Sequence, residues 1–181
     1  MSDLLAKRWA FGAGLLCLFG ATGTLAQDGC APVPGDYVFC MSGTDWANAE
    51  REEFGGGLAF GTDDMWLEII ALPEEFQTGH SLDGLLDLLE EIYAAESEAE
   101  DMRAPETIAR DRFQTEHLNV VSITSLVDFG EGYAEEFVTM ILEGGTQRIS
   151  ISLDSEQELA PGALHDTLRT VAEMIRPAPE G

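Results

Sequence analysis

The sequence predicts an α+β domain, an antiparallel β-sheet covered by two main helices in an alpha-beta-alpha sandwich. Three observations carry this. Between His117 and Asp154, the runs HLNVVSITSLV, GYAEEFVTMIL and TQRISISLD are rich in β-branched and aromatic residues, with the turn sequences DFGEG and EGG between them. Connections this short require antiparallel pairing, because a parallel crossover needs roughly a dozen residues. Leu82, Leu85, Leu86, Leu89, Ile92 and Tyr93 recur at helical intervals and form one apolar stripe. Leu164, Leu168, Val171, Ala172 and Ile175 form a second stripe, which Pro177 and Pro179 bring to an end.

The chain begins with a segment of another kind. Lys7 and Arg8 precede the apolar run WAFGAGLLCLFGA, which is too short for a comfortable membrane span, and Thr24-Leu25-Ala26 offers a small-residue cleavage site. Residues 1–26 therefore read as a secretory signal peptide. No other stretch approaches the ~18 apolar residues of a membrane helix, so no membrane insertion is expected of the mature chain. The expected compartment is the bacterial periplasm or the medium. Cleavage also removes Cys17 and leaves Cys30 and Cys40, ten residues apart across APVPGDYVF. In an oxidising compartment these two are expected to form a disulfide, and a loop this short contributes on the order of 2–3 kcal/mol.

Residues 27–36 read as a leader loop and 37–177 as one domain, followed by a tail at 178–181. YVFCM (37–41) is a short strand, SGTDW a turn, and ANAEREEF either a brief helical turn or an extended link. The three glycines of GGGLAFG suggest a bulge or a close backbone approach rather than a good strand interior. MWLEIIAL (65–72) is a firmer strand, with Trp66, Glu68 and Ile70 on one face and Leu67, Ile69 and Ala71 on the other. Pro73 ends it. Ser81 is a natural N-cap for the leucine-rich helix, with Asp83 in its first turn complementing the dipole. That helix is expected to fray through AESEAEDMRAPE, and ETIARDRF (106–113) fits a short helix or a strand equally. The last helix should run from Pro161 or Gly162 to Arg176.

This order of elements resembles the PsbP-like alpha-beta-alpha sandwich superfamily. The opening strand ends in a Trp-bearing turn (YVFCMSGTDW), a hairpin ends at a proline (MWLEIIALP), and Ser-Leu introduces a helix (SLDGLLDLLEEIY). Three strands then lead to a terminal helix that stops after an isoleucine (MIRP). The resemblance spans residues 35–177 and lies in the order of elements rather than in a residue signature. It implies an accessory protein that docks to other proteins and is mostly non-enzymatic. The chain departs from the photosynthetic members in lacking their lysine-rich surface.

Nine Lys and Arg stand against 34 Asp and Glu, a net charge of −25, which loss of Lys7, Arg8 and Asp3 with the signal moves to −26. Such a charge disfavours nucleic acid and anionic lipid as partners and favours cationic ones. The motif GHSLDG (79–84) lies one substitution from a lipase nucleophile elbow. However, Asp83 stands where the elbow needs glycine, PEEFQT is a poor buried strand before it, and a helix N-cap accounts for Ser81. His80, His117 and His165 are far apart in sequence, without ligand spacing, and the acidic clusters lack an EF-hand pattern. No cofactor or catalytic set is assigned. Trp46, in the turn, either closes the end of the sandwich or helps to form a docking surface. The expectation is an exported, non-catalytic binding or accessory protein whose partner is another envelope protein. The competing readings are a small periplasmic serine hydrolase using Ser81 and a Ca²⁺-responsive acidic surface protein.

Overall fold

A computed structural model describes residues 29–99, 103–130, 133–155, 157 and 159–178. The expected signal segment 1–26, part of the acidic patch at 96–101 and residues 179–181 of the tail lie outside them. The main sheet has seven antiparallel strands in the order β3-β4-β5-β9-β8-β7-β6: β3 (Glu50–Phe54), β4 (Gly57–Gly61), β5 (Met65–Ala71), β6 (Glu106–Gln114), β7 (Asn119–Gly130), β8 (Tyr133–Glu143) and β9 (Ile149–Ser155). A second sheet, in the order β1-β2-β10, joins β1 (Cys30–Val33), β2 (Tyr37–Cys40) and β10 (Ile175–Pro177). The helices are α1 (Glu74–Gln77), α2 (Leu82–Ala99) and α3 (Ala163–Met174). The fold is α+β and rich in sheet.

Strand alternation divides the core. On one face of the main sheet Phe60, Leu67, Ile69, Met140, Leu142, Ile149, Ile151 and Leu153 are essentially inaccessible. They pack with Leu164, Leu168, Val171 and Ala172 of α3 and with Tyr37, Phe39 and Ile175 of the small sheet. The cover on this face is therefore mixed, part helix and part sheet, rather than one of two helices enclosing a sheet. On the opposite face, Leu82, Leu85 and Leu86 of α2 meet Val121 and Ile123 of β7 and Ile141 of β8. Ion pairs along the rim add to that packing: Arg112 to Asp83 at 2.5 Å, and Arg110 to Asp87 at 2.7 Å and to Glu90 at 2.5 Å.

Several expectations change. Residues 30–33 are strand β1 rather than leader loop, and Cys30 pairs directly opposite Cys40. Their sulfurs lie 2.12 Å apart. ANAEREEF divides into a 3-10 turn at Asp45–Asn48 and the edge strand β3. Of the two readings open for ETIARDRF the strand holds, because β7 supplies a ladder for it. Helix α2 runs on to Ala99, through the first part of the stretch expected to fray, and residues 100–102 lie outside the described residues. The Tyr93 hydroxyl lies 3.2 Å from Thr139 Oγ1 of β8, and Ser97 Oγ donates to the Tyr93 carbonyl at 2.8 Å, tying that end down. The last helix stops at Met174, since Ile175–Pro177 pair with Tyr37–Phe39 of β2.

Tyr37 joins the two sheets. Its phenol donates to the Gln147 carbonyl at 2.6 Å and accepts from the Gly144 and Gly145 amides at 3.1 and 2.8 Å, fixing the β8–β9 connection against β2. Burial pushes this phenol above its ordinary ionisation range, against the opposing pull of the two amides.

Candidate functional site

The face of the main sheet that carries α2 is only half covered. Helix α2 lies over β7 and β8, and the register shows what occupies the other half. Glu50, Gly61, Trp66 and Asp154 form one cross-strand row. Glu52, Ala59, Glu68 and Ser152 form the next, and Phe54, Gly57, Ile70 and Ser150 the third. No Arg, Lys or His occupies any of these positions.

The glycines there explain the aromatic rings. A Cβ on Gly61 would stand 2.9 Å from Trp66 Cζ3, and one on Gly57 would stand 2.6 Å from Phe54 Cζ. Each ring therefore lies down across a strand that has no side chain to lift it, with its other side toward solvent. Trp66 and Phe54 are each 38% exposed. The indole N–H donates to Glu68 Oε1 at 3.3 Å, which fixes the orientation of the Trp66 ring. Beyond the end of the first row, Asp45, Asn48, Glu50, Asp63, Trp66 and Asp154 line a cleft of about 530 Å³.

A second aromatic group occupies the tip of the β7–β8 hairpin. Phe129 stacks obliquely with Tyr133 and Phe137, at 5.9 and 6.5 Å between ring centres. Phe129 and Tyr133 are exposed. The pairings of β5 with β9 and of β9 with β8 bring this tip to the same end of the sheet as Trp66.

The residues singled out in the sequence lie elsewhere. Trp46, read from the sequence either as closing the end of the sandwich or as part of a docking surface, is only 5% exposed and packs 6.2 Å from Phe39 between ring centres, so it closes the core. The solvent-facing indole is that of Trp66. Its signal was present in the sequence, as a strand face reading Trp-x-Glu-x-Ile beside a strand with the small residues Gly57, Ala59 and Gly61 at alternate positions. Ser81 Oγ accepts from the Gly84 amide at 3.0 Å, as a helix cap does. The short helix α1, not a strand, precedes it, so the strand-turn-helix geometry of a nucleophile elbow is missing at this serine.

His80 is exposed; its backbone carbonyl accepts from Arg148 at 2.9 Å and its ring meets that of Phe76 edge-on, 6.5 Å between centres. His165 turns inward, with Nε2 3.2 Å from Ser122 Oγ and Asp166 3.8 Å from Nδ1. Ser122 is 1% exposed beneath α3, so this serine-histidine-carboxylate set holds the helix to the sheet and has no opening through which a substrate could reach the oxygen. Among the described residues no three His, Cys, Asp or Glu side chains converge in a way that could hold a metal ion. Nor is any described helix long and apolar enough to cross a membrane.

No protein-family model and no curated protein sequence matches the chain. Among solved structures it is similar to the solution structure of cyanobacterial PsbP (CyanoP) from Synechocystis sp. PCC 6803. The TM-score is 0.54 at 15% identity, over 79% of this chain and 87% of that one. The element order read from the sequence and the agreement of the backbones converge on one statement: the chain has a PsbP-like fold.

Proposed function

We propose that this is an exported, non-catalytic accessory protein that works by docking another protein of the cell envelope, and that the half-sheet around Phe54 and Trp66 is its contact surface. One observation carries the reading. A sheet face that the chain's own helix leaves uncovered presents two preoriented aromatic rings and Ile70 over a floor of Gly57, Ala59, Gly61, Ser150 and Ser152. Exposed aromatics on a flat, small-residue floor suit protein contact, since rings that are already fixed lose little freedom on binding. The PsbP-like fold is in keeping with an accessory role.

The test compares affinity retention of envelope proteins by the wild type and by the Phe54→Ala/Trp66→Ala double variant. A protein held by the wild type and released by the variant, at unchanged melting temperature, supports the assignment. Equal retention by both rejects it.

A further inference from the structure

We propose that the uncovered face takes a basic segment of the partner protein, with an arginine or lysine side chain seated against the Trp66 ring in the adjoining cleft. The proposal rests on the docking reading above and adds the chemistry of the partner.

Four observations lead to it. The rows nearest the cleft carry Glu50, Glu52, Glu68 and Asp154, and Asp45 and Asp63 also line the cleft. No Arg, Lys or His of the described chain lines the cleft. The described arginines serve elsewhere: Arg110 and Arg112 bind α2, Arg148 pairs with Glu143, Arg169 with Asp111, Arg103 with Asp128 and Arg51 with Glu53, and Arg176 lies 3.6 Å from Cys30 Sγ. The Trp66 ring lies with one side on the Gly61 backbone and the other open, which is the presentation a cation needs over an indole. Finally, the carboxylates around the cleft do not converge as metal ligands would. Their dispersal suits an organic cation, whose charge is met from several sides at once.

Charge decides between partners. A chain with a net charge of −25 repels acidic surfaces at long range, while this face attracts a basic segment and orients it before contact. Phe54 and Ile70, at the far end of the same face, then accept the apolar residues of that segment. The chain itself supplies an internal example of the pairing, since the Arg169 guanidinium sits 4.2 Å above the Phe113 ring beside Asp111.

The experiment titrates the ¹⁵N-labelled protein with a capped octapeptide of alternating arginine and glycine, in 50 mM salt, following the indole N–H resonances. The Trp66 resonance, identified by its loss in Trp66→Phe, should move saturably while that of the buried Trp46 stays in place. Glu50→Gln/Asp63→Asn should weaken binding by about 5–10-fold, the product of two partly exposed charge pairs. Glu116→Gln, on the loop before β7, should leave it unchanged. Raising the salt to 300 mM should weaken the wild-type complex further.

Three outcomes overturn the proposal. The Trp66 resonance does not move, or Glu116→Gln costs as much as the cleft variant, or spermidine at equal charge binds Trp66 as tightly as the peptide. A Trp66 that ignores the peptide while Phe54→Ala/Trp66→Ala still releases a native partner refutes the basic segment and leaves the docking face standing. Loss of both results refutes both.

Discussion

Removing the Tyr37 hydroxyl tests how the two sheets are held together. Tyr37→Phe keeps the ring in its buried place and deletes one hydrogen bond donated to Gln147 and two accepted from Gly144 and Gly145. A neutral hydrogen bond contributes about 0.5–1.5 kcal/mol net, and more is lost when the abandoned partner is shut away from water. Gly144, Gly145 and Gln147 are exposed residues, so water can replace the phenol at each. Their exposure puts the cost near the low end per bond, about 2 kcal/mol for the three. With a urea m-value near 2 kcal/mol/M, the unfolding midpoint should fall by about 1 M at unchanged m.

A pH arm gives the sign. Burial raises the folded-state ionisation of this phenol above its unfolded value of about 10. Its contribution is therefore complete below pH 10 and is lost as pH rises through the folded value. The gap between wild type and Tyr37→Phe should narrow above pH 10. A midpoint shift under about 0.3 M, or a gap that widens with alkali, would refute the assignment of this hydroxyl as the clamp between the sheets.

Other perturbations address the remaining parts of the fold and the face. Cys30→Ala/Cys40→Ala should cost about 3 kcal/mol in the chain-entropy treatment of a ten-residue separation, read as a lower urea midpoint under non-reducing conditions. An unchanged midpoint would show that the bridge adds nothing. Hydrogen bonds from Thr107 and then Arg110 hold the Glu90 carboxyl below the usual carboxylate range. Its stabilising effect is therefore present above about pH 4.3 and disappears as pH falls through the folded value. The melting-temperature gap between wild type and Glu90→Gln should then shrink from pH 7 to pH 3, and a constant gap contradicts this. Gly61→Ala places a methyl 2.9 Å from the Trp66 ring. The methyl displaces that ring from its seat on Gly61 and, because the ring is 38% exposed and little packing is lost, the melting temperature should fall only slightly while the Trp66 indole resonance shifts. A stationary resonance would contradict the packing of ring on glycine.

The elements that were legible in the sequence are those where burial and local pattern agree. Ile149, Ile151 and Leu153 alternate with Ser150 and Ser152, and the structure buries the first set. The leucine stripe of α2 and the capping serine before it could be read in the same way. The elements that escaped notice are at edges, where the partner rather than the pattern decides. Strand β6 is exposed along nearly its whole length and becomes a strand only because β7 offers a ladder. Strand β1 contains Pro32, which sequence reasoning assigns to a loop. It is tolerated there because β1 is the outer strand of the small sheet. Strand β10 takes Ile175 and Arg176 from the helical pattern because β2 lies beside them.

The half-sheet around Trp66 was half visible. The Trp66-Glu68-Ile70 face was correctly separated from Leu67 and Ile69, but local sequence does not reveal how far a helix will extend across a sheet. Helix α2 packs on β7 and β8, and this long-range fact leaves Trp66 on β5 facing solvent, while Trp46 is buried with Phe39 on the other face of the sheet. The inward turn of His165 is likewise set by Ser122 and Asp111, on strands distant in sequence.

The proposed contact surface is tested most directly by photo-crosslinking in the living envelope, with p-benzoylphenylalanine placed in turn at positions 54, 66 and 170. Adducts of one common partner from positions 54 and 66, and none from Thr170 on the outer side of α3, are the predicted result. Adducts from position 170 with none from 54 and 66 would place the contact on the opposite side of the molecule and contradict the account.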